Sequence, residues 1–187
     1  SGEHLILLAK NQQGYTNLVQ LCSVAFIDGF YYRPRIDKAL LEKHHEGLIV
    51  SSACLGGEIS QKIMAGNIAG AEAAAKWYKD LFGEDYYLEV MRHPATDPKL
   101  RTEVYENQEL CIKHILQIGE KLGIKVIATN DVHFLNEEDA EAHDMLICLN
   151  TRKDVDDPNR MRYTRQEWFK TTSEMVELFK DMPEVIE

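Results

Sequence analysis

Asp131 and His133 stand two residues apart, directly after the apolar run Val126-Ile127-Ala128. A carboxylate and an imidazole can share one divalent cation. On an extended backbone side chains alternate faces, so residues i and i+2 point the same way. The run before them is short and begins β-branched, which reads as a buried strand of a parallel sheet. The carboxyl ends of such strands are where α/β folds place metals and substrates. A bare Asp-x-His also arises by chance, and a hydrogen-bonded structural pair is the plain alternative. Cys54 repeats the placement. It follows Gly47-Leu48-Ile49-Val50-Ser51-Ser52-Ala53 and precedes Gly56-Gly57 and a helix start at Glu58. Its alternative role is a small buried filler. His4 opens a further strand candidate, His4 to Lys10, at its beginning rather than its end. A hydrogen bond to a neighbouring loop would explain it equally. If all four converge, the donors are imidazole, thiolate, carboxylate and imidazole. That mixture suits zinc, with iron or manganese where oxygen donors dominate.

The elements that must position these residues alternate. Tyr15 to Ile27 has helical spacing at Leu18, Leu21, Cys22, Ala25 and Phe26, between a turn at 11–14 and a stop at Asp28-Gly29. Phe30 to Pro34 is an aromatic loop bracketed by Arg33 and Arg35. Those guanidiniums either meet phosphate or an acidic partner, or pair on the surface. Asp37 caps a short helix to Leu41. An Ala-rich helical region runs from Glu58 to Phe82 with a break at Gly66-Asn67, and Ala71, Ala74, Ala75 and Tyr78 form its packing stripe. Asp85 to Met91 is a strand, and Glu103 to Leu122 an amphipathic helix ending at Gly123. Asn136 caps a helix to about Leu149, and a last helix spans Glu174 to Lys180. Asp157-Pro158 forbids a continuous helix between them. The final residues, to Glu187, look like the start of another helix. Asn130 reads as turn support, Glu58 as a partner of its helix dipole, and His93 as a surface histidine beyond a strand. His44, His45, His114 and His143 show no partner pattern. Strands separated by helices imply parallel βα units in a doubly wound sheet or a barrel.

The totals narrow the function. The chain has 187 residues, one domain or slightly more, with 21 Lys and Arg against 31 Asp and Glu. A net charge of -10 disfavours gripping nucleic acid by charge alone. It leaves room for an enzyme that meets phosphate through metal ions. No apolar run is long enough for a bilayer and no leader is visible, so the expected location is the cytoplasm, away from membranes. The four cysteines, Cys22, Cys54, Cys111 and Cys148, form no Cys-x-x-Cys and read as free thiols. Cys22, Cys111 and Cys148 fit buried helix positions. No dinucleotide glycine fingerprint, P-loop or nucleophile elbow is present.

Several ordered motifs carry a resemblance. They are His4-Leu5-Ile6-Leu7-Leu8-Ala9-Lys10-Asn11, the run Gly29 to Asp37, the run Gly47 to Glu58, and Ala128-Thr129-Asn130-Asp131-Val132-His133-Phe134-Leu135. The tail adds Asp157 to Arg160, Trp168 to Lys170, and Met182 to Glu184. In this order they resemble the PHP (polymerase and histidinol phosphatase) domain of bacterial replicative DNA polymerase III alpha subunits, over nearly the whole chain. The resemblance implies part of a distorted, TIM-like (βα)7 barrel. It assigns residues 1–150 to the PHP domain, lacking its first strands, and 151–187 to a linker toward the polymerase palm. It implies a site for up to three ions, zinc or else manganese, iron or magnesium. Among its ligand positions His4, Cys54, Asp131 and His133 match four. The others belong to segments not in this sequence, so this piece alone is expected to be inactive and to hold few ions or none. The implied activity is metal-dependent phosphoesterase chemistry, a 3′-5′ exonuclease or pyrophosphatase, within a DNA-directed DNA polymerase. The alternative is a non-catalytic module that stabilises the polymerase and docks its proofreading exonuclease. A free-standing histidinol-phosphate phosphatase is a weaker alternative, against which the Asp157 to Pro183 bridge argues. Implied partners of the parent are DNA, deoxynucleotides, the proofreading exonuclease and other replisome subunits. Missing strands would leave open sheet edges, so self-association is expected.

Overall fold

The computed structural model describes residues 2–186; Glu187, in the expected terminal helix, lies outside them. Four strands form one sheet in the order β1 (Ile6–Ala9), β2 (Leu48–Ser51), β3 (Tyr86–Val90) and β4 (Lys125–Ala128). β2 and β3 pair in parallel, with Val50 opposite Tyr86 and Ser51 opposite Tyr87. This is the geometry that a helical crossover provides. β1 corrects the all-parallel expectation. It runs antiparallel to β2, with Ile6 opposite Ser51 and Ala9 opposite Leu48. The two helices between them, α1 (Gln12–Ile27) and α2 (Lys38–Lys43), make a connection long enough to return in either direction. Element order therefore does not decide the sense of pairing.

Position in the sheet sets burial. Val50, Leu88 and Val90 of the central strands are fully buried. β1 and β4 stand at the two ends of the order, and neither is buried as the sequence suggested. Ile6 and Leu8 are exposed, and Val126, Ile127 and Ala128 are half-buried. The run of apolar residues announces a strand but not whether neighbours flank it on both sides.

The chain divides into two compact units, Ser1–Glu89 with Leu116–Lys125, and Val90–Ile115 with Val126–Glu187. In the first unit the Asn11 side chain accepts from Gly14 N and starts α1, so the expected turn at 11–14 is instead a cap and first turn. Gly14, Asn17, Leu21 and Ala25 face inward; Cys22, one position round from Leu21, is exposed rather than buried. Asp37 caps α2 through Leu40 N, as expected. α3 (Glu58–Met64) and α4 (Ile68–Phe82) break where Asn67 caps α4 through Gly70 N. Ala71, Ala74, Ala75 and Tyr78 are all buried, which confirms the stripe. Small residues there let the helix pack close to its neighbours.

Asp97 and Pro98 start a helix earlier than the periodicity indicated. It runs through α5 (Pro98–Leu100) and a π-helical turn, Arg101–Tyr105, into α6 (Glu106–Leu122). In the second unit Asn136 and Asp139 form a capping box ahead of α7 (Ala140–Thr151). Thr171 and Glu174 form another ahead of α8 (Thr172–Leu178), so the last helix starts and ends two residues early. A short 3-10 turn, Pro183–Val185, follows. The turn-rich stretch between α7 and α8 is anchored by Arg160, whose buried guanidinium makes bonds of 2.6 and 2.7 Å to the Asp144 carboxylate. Among the described residues no helix is long and apolar enough to cross a membrane.

Candidate functional site

In the first unit the structure brings His4 and Cys54 together. The Cys54 Sγ lies 3.4 Å from His4 Nδ1. Two events place them. The segment after β2 folds back so that His4 N donates to Gly56 O at 2.9 Å and His4 bridges Gly57. Gly56 then lies against the imidazole, where a Cβ would stand 2.9 Å from Nδ1. The missing side chain is what admits the ring. The other event is the turn at Ala53, which takes φ +60°. That conformation is unusual for a residue with a Cβ and needs support. Glu89 of β3 supplies it. Its buried Oε1 accepts from Ala53 N at 3.1 Å and from the Ser51 hydroxyl, and its own N–H donates to Ser52 Oγ at 2.8 Å. Glu58 also does more than face a helix dipole. It takes hydrogen bonds from Lys38 and Tyr78, both at 3.0 Å. Burial opposes its charge, but these donors win and hold its carboxyl below the usual range.

In the second unit Asp131 and His133 lie beyond β4, but not on extended backbone. Asp131 has φ +45°, so the alternation argument for a shared face does not hold there. A different contact couples the two residues. His133 Nδ1 lies 2.5 Å from the Asp131 carbonyl oxygen, so Nδ1–H donates to it. That fixes the tautomer and leaves Nε2 with the lone pair, the arrangement metal-ligating histidines use. Nε2 now receives the Tyr163 hydroxyl at 3.1 Å. His143 packs beside it, 5.7 Å from the His133 ring and 5.1 Å from Tyr163. Burial, with the neighbouring His133, holds the His143 imidazole below its ordinary pKa. Helical periodicity gave His143 no such company, because its partners come from other segments.

His93 corrects another expectation. It is 3% exposed, not a surface histidine. Its Nε2 donates to Asn130 O at 3.1 Å, and Nδ1 takes the Gln108 amide at 3.0 Å. Glu167 Oε1 stands 3.6 Å from Nδ1. Burial lowers the His93 pKa, so the ring stays neutral in this network. Asn130 supports the turn as anticipated, its amide donating to Gln166 O at 2.9 Å and Trp168 O at 2.7 Å. His133 N donates to Glu167 O at 2.8 Å, and Phe169 N returns to Phe134 O at 3.1 Å. The strip 164–169 is thus stitched to the loop that presents Asp131 and His133. Glu167 is 2% exposed; Oε1 accepts from Thr164 N and Oγ1, while Oε2 has no hydrogen-bond partner among the described residues.

The donor types and spacing of the His4–Cys54 pair fit a metal; at Asp131 and His133 the contact is to the Asp131 backbone carbonyl, not its carboxylate. A nitrogen and a sulfur ligand of one tetrahedral zinc lie about 3.5 Å apart, and the His4–Cys54 separation is 3.4 Å. In the first unit the gathering stops at these two. Among the described residues no group of three or more His, Cys, Asp or Glu side chains could hold an ion.

Comparison with known proteins decides the family. Residues 1–93, which include His4 and Cys54, match the PHP domain. That stretch, residues 1–93, is a PHP domain. Over 98% of its length the chain is similar to DNA polymerase III alpha subunits. It is 43% identical to that of Borreliella burgdorferi over 185 residues, 43% to that of Campylobacter jejuni over 195, and 40% to that of Treponema pallidum over 185. It spans about 15% of the length of each of these relatives.

Proposed function

We propose that this chain is the PHP module of a bacterial replicative DNA polymerase, and that His4, Cys54, Asp131 and His133 are part of a metal-dependent phosphoesterase site. The observation that carries the reading is the His4–Cys54 pair, held at ligand spacing by a glycine gap and a buried carboxylate. Identity of 40–43% to polymerase alpha subunits along nearly the full chain supports the setting. The assignment of 1–150 to the module and 151–187 to a palm-ward linker belongs to the same reading, as does a cytoplasmic location.

Each residue has a distinct task. Cys54 binds as thiolate, which coordination to a cation favours. His4 presents a ring nitrogen beside it. His133 presents Nε2 because its other nitrogen is committed to the Asp131 carbonyl, and Tyr163 must yield that position. Asp131 contributes the hard, charged oxygen. Bound zinc or manganese would lower the pKa of water and neutralise charge on a phosphoryl group. The remaining ligands in the family pattern come from segments outside this sequence.

Hydrolysis of single-stranded DNA by the longer polypeptide, supplied with zinc or manganese, tests this. Asp131→Asn should abolish hydrolysis while polymerisation survives. Unchanged hydrolysis in the variant would sink the metal assignment. The alternative is a non-catalytic scaffold within the polymerase. It wins if Asp131→Asn instead removes the fold and the binding of a proofreading exonuclease together.

A further inference from the structure

The loop after α1 carries a surface that the metal site does not use. Phe26, Ile27, Phe30, Tyr31 and Tyr32 are all exposed, Tyr32 at 84%. Close contacts shape the loop. Gly29 lets the returning chain pass against it, since a Cβ there would overlap the Arg35 carbonyl oxygen. Tyr31 N donates to Arg33 O at 3.1 Å, closing a tight turn with Tyr32 at its tip. Tyr32 has φ +60°, a strained choice for an aromatic residue, and it presents the ring outward. Tyr31 meets Tyr32 edge-on at 4.7 Å, and the Arg35 guanidinium sits 5.0 Å over the Tyr31 ring.

The loop also carries two exposed guanidiniums. Although acids outnumber bases 31 to 21, Arg33 and Arg35 have no carboxylate partner among the described residues. Of the nearest acids, Asp37 turns its carboxylate to Leu40 N at the start of α2. More distant carboxylates are attenuated over the Debye length, about 10 Å at 0.1 M salt. Guanidiniums without a carboxylate partner beside exposed rings suit a ligand that offers both phosphates and flat faces. A duplex hides its base faces; a single strand shows them.

We infer that the 26–35 surface binds single-stranded nucleic acid, with Tyr31 and Tyr32 stacking on bases and Arg33 and Arg35 meeting phosphates. The site is separate from the metal reading and stands without it.

Anisotropy of an end-labelled oligothymidylate of about 12 nucleotides, titrated with the 187-residue chain in chelator, tests the inference. Chelation makes the result independent of any bound ion. The chain should bind the single strand more tightly than a duplex of equal length. Tyr31→Ala and Tyr32→Ala should each weaken binding about fivefold or more, while Tyr31→Phe and Tyr32→Phe retain it. Replacing Arg33 and Arg35 together by Ala should flatten the salt dependence by about 1.4 in log–log slope, the value for two phosphates. No binding at low salt, equal preference for duplex, or alanine variants that bind as wild type with unchanged circular dichroism would overturn it. So would ring variants that alter only self-association in light scattering, which would mark a protein interface.

Discussion

His93 is a side chain whose surroundings matter more than its own chemistry. Its ring joins Gln108 and Asn130 with Glu167 alongside, and that joint fixes the backbone just ahead of Asp131. His93→Ala should leave the Asn130 carbonyl and the Gln108 amide without partners, at a cost of about 2 kcal/mol or more. A drop in the urea midpoint measures this. The pH dependence follows from the same burial. The folded-state pKa of His93 lies below its ordinary value of 6.5, so the unfolded chain binds the proton more readily. Its contribution to stability is complete above that value and is lost as pH falls through it. His143 is lowered as well and adds with the same sign. The urea midpoint should therefore fall between about pH 7.5 and 5.5, and fall less in His93→Gln; an identical fall in that variant would count against this origin. None of this was legible in the sequence. The partners lie 15, 37 and 74 positions away, and no local pattern connects them. Asn130, by contrast, is legible as turn support from its place after an apolar run, which is a local signal.

Helix boundaries were legible where a side chain caps its own turn. Asp37 and Asn136 act within three residues and are legible as caps; Asn67 is legible only as part of a break, and its bond to Gly70 N makes it the cap of α4. Asn67→Ala should cost about 1 kcal/mol, because Gly70 N loses its acceptor at the start of α4. Thermal denaturation checks this, and an unchanged midpoint would mean that packing of the Ala71–Tyr78 stripe alone sets the helix. Strand sense was not legible. The reversal of β1 depends on a connection of two helices, whose direction of return no residue in it announces. The candidate site shows the same division. Sequence located Cys54 and His4 after and before the right elements, but assumed extended backbone at Asp131. The left-handed φ there replaces a shared face with a backbone hydrogen bond to His133.

For the whole molecule, the exposed member of the sheet is β1. It ends the strand order with Ile6 and Leu8 exposed and no further strand beside it among the described residues, a template for pairing with a second copy. The net charge of -10 opposes such association, and salt should relieve that opposition. The mass from light scattering should rise with concentration, more so in salt, and Leu8→Lys should lower it. A single-copy mass at high concentration would count against edge pairing. Cys22 gives a second route to the same mass. Its thiol sits at the surface of α1, so storage in air can join two copies by a covalent sulfur bridge. That species survives dilution and disappears with reductant, whereas strand-paired dimers do the opposite. Fresh and aged samples of one preparation would then differ in apparent oligomeric state although the fold had not changed.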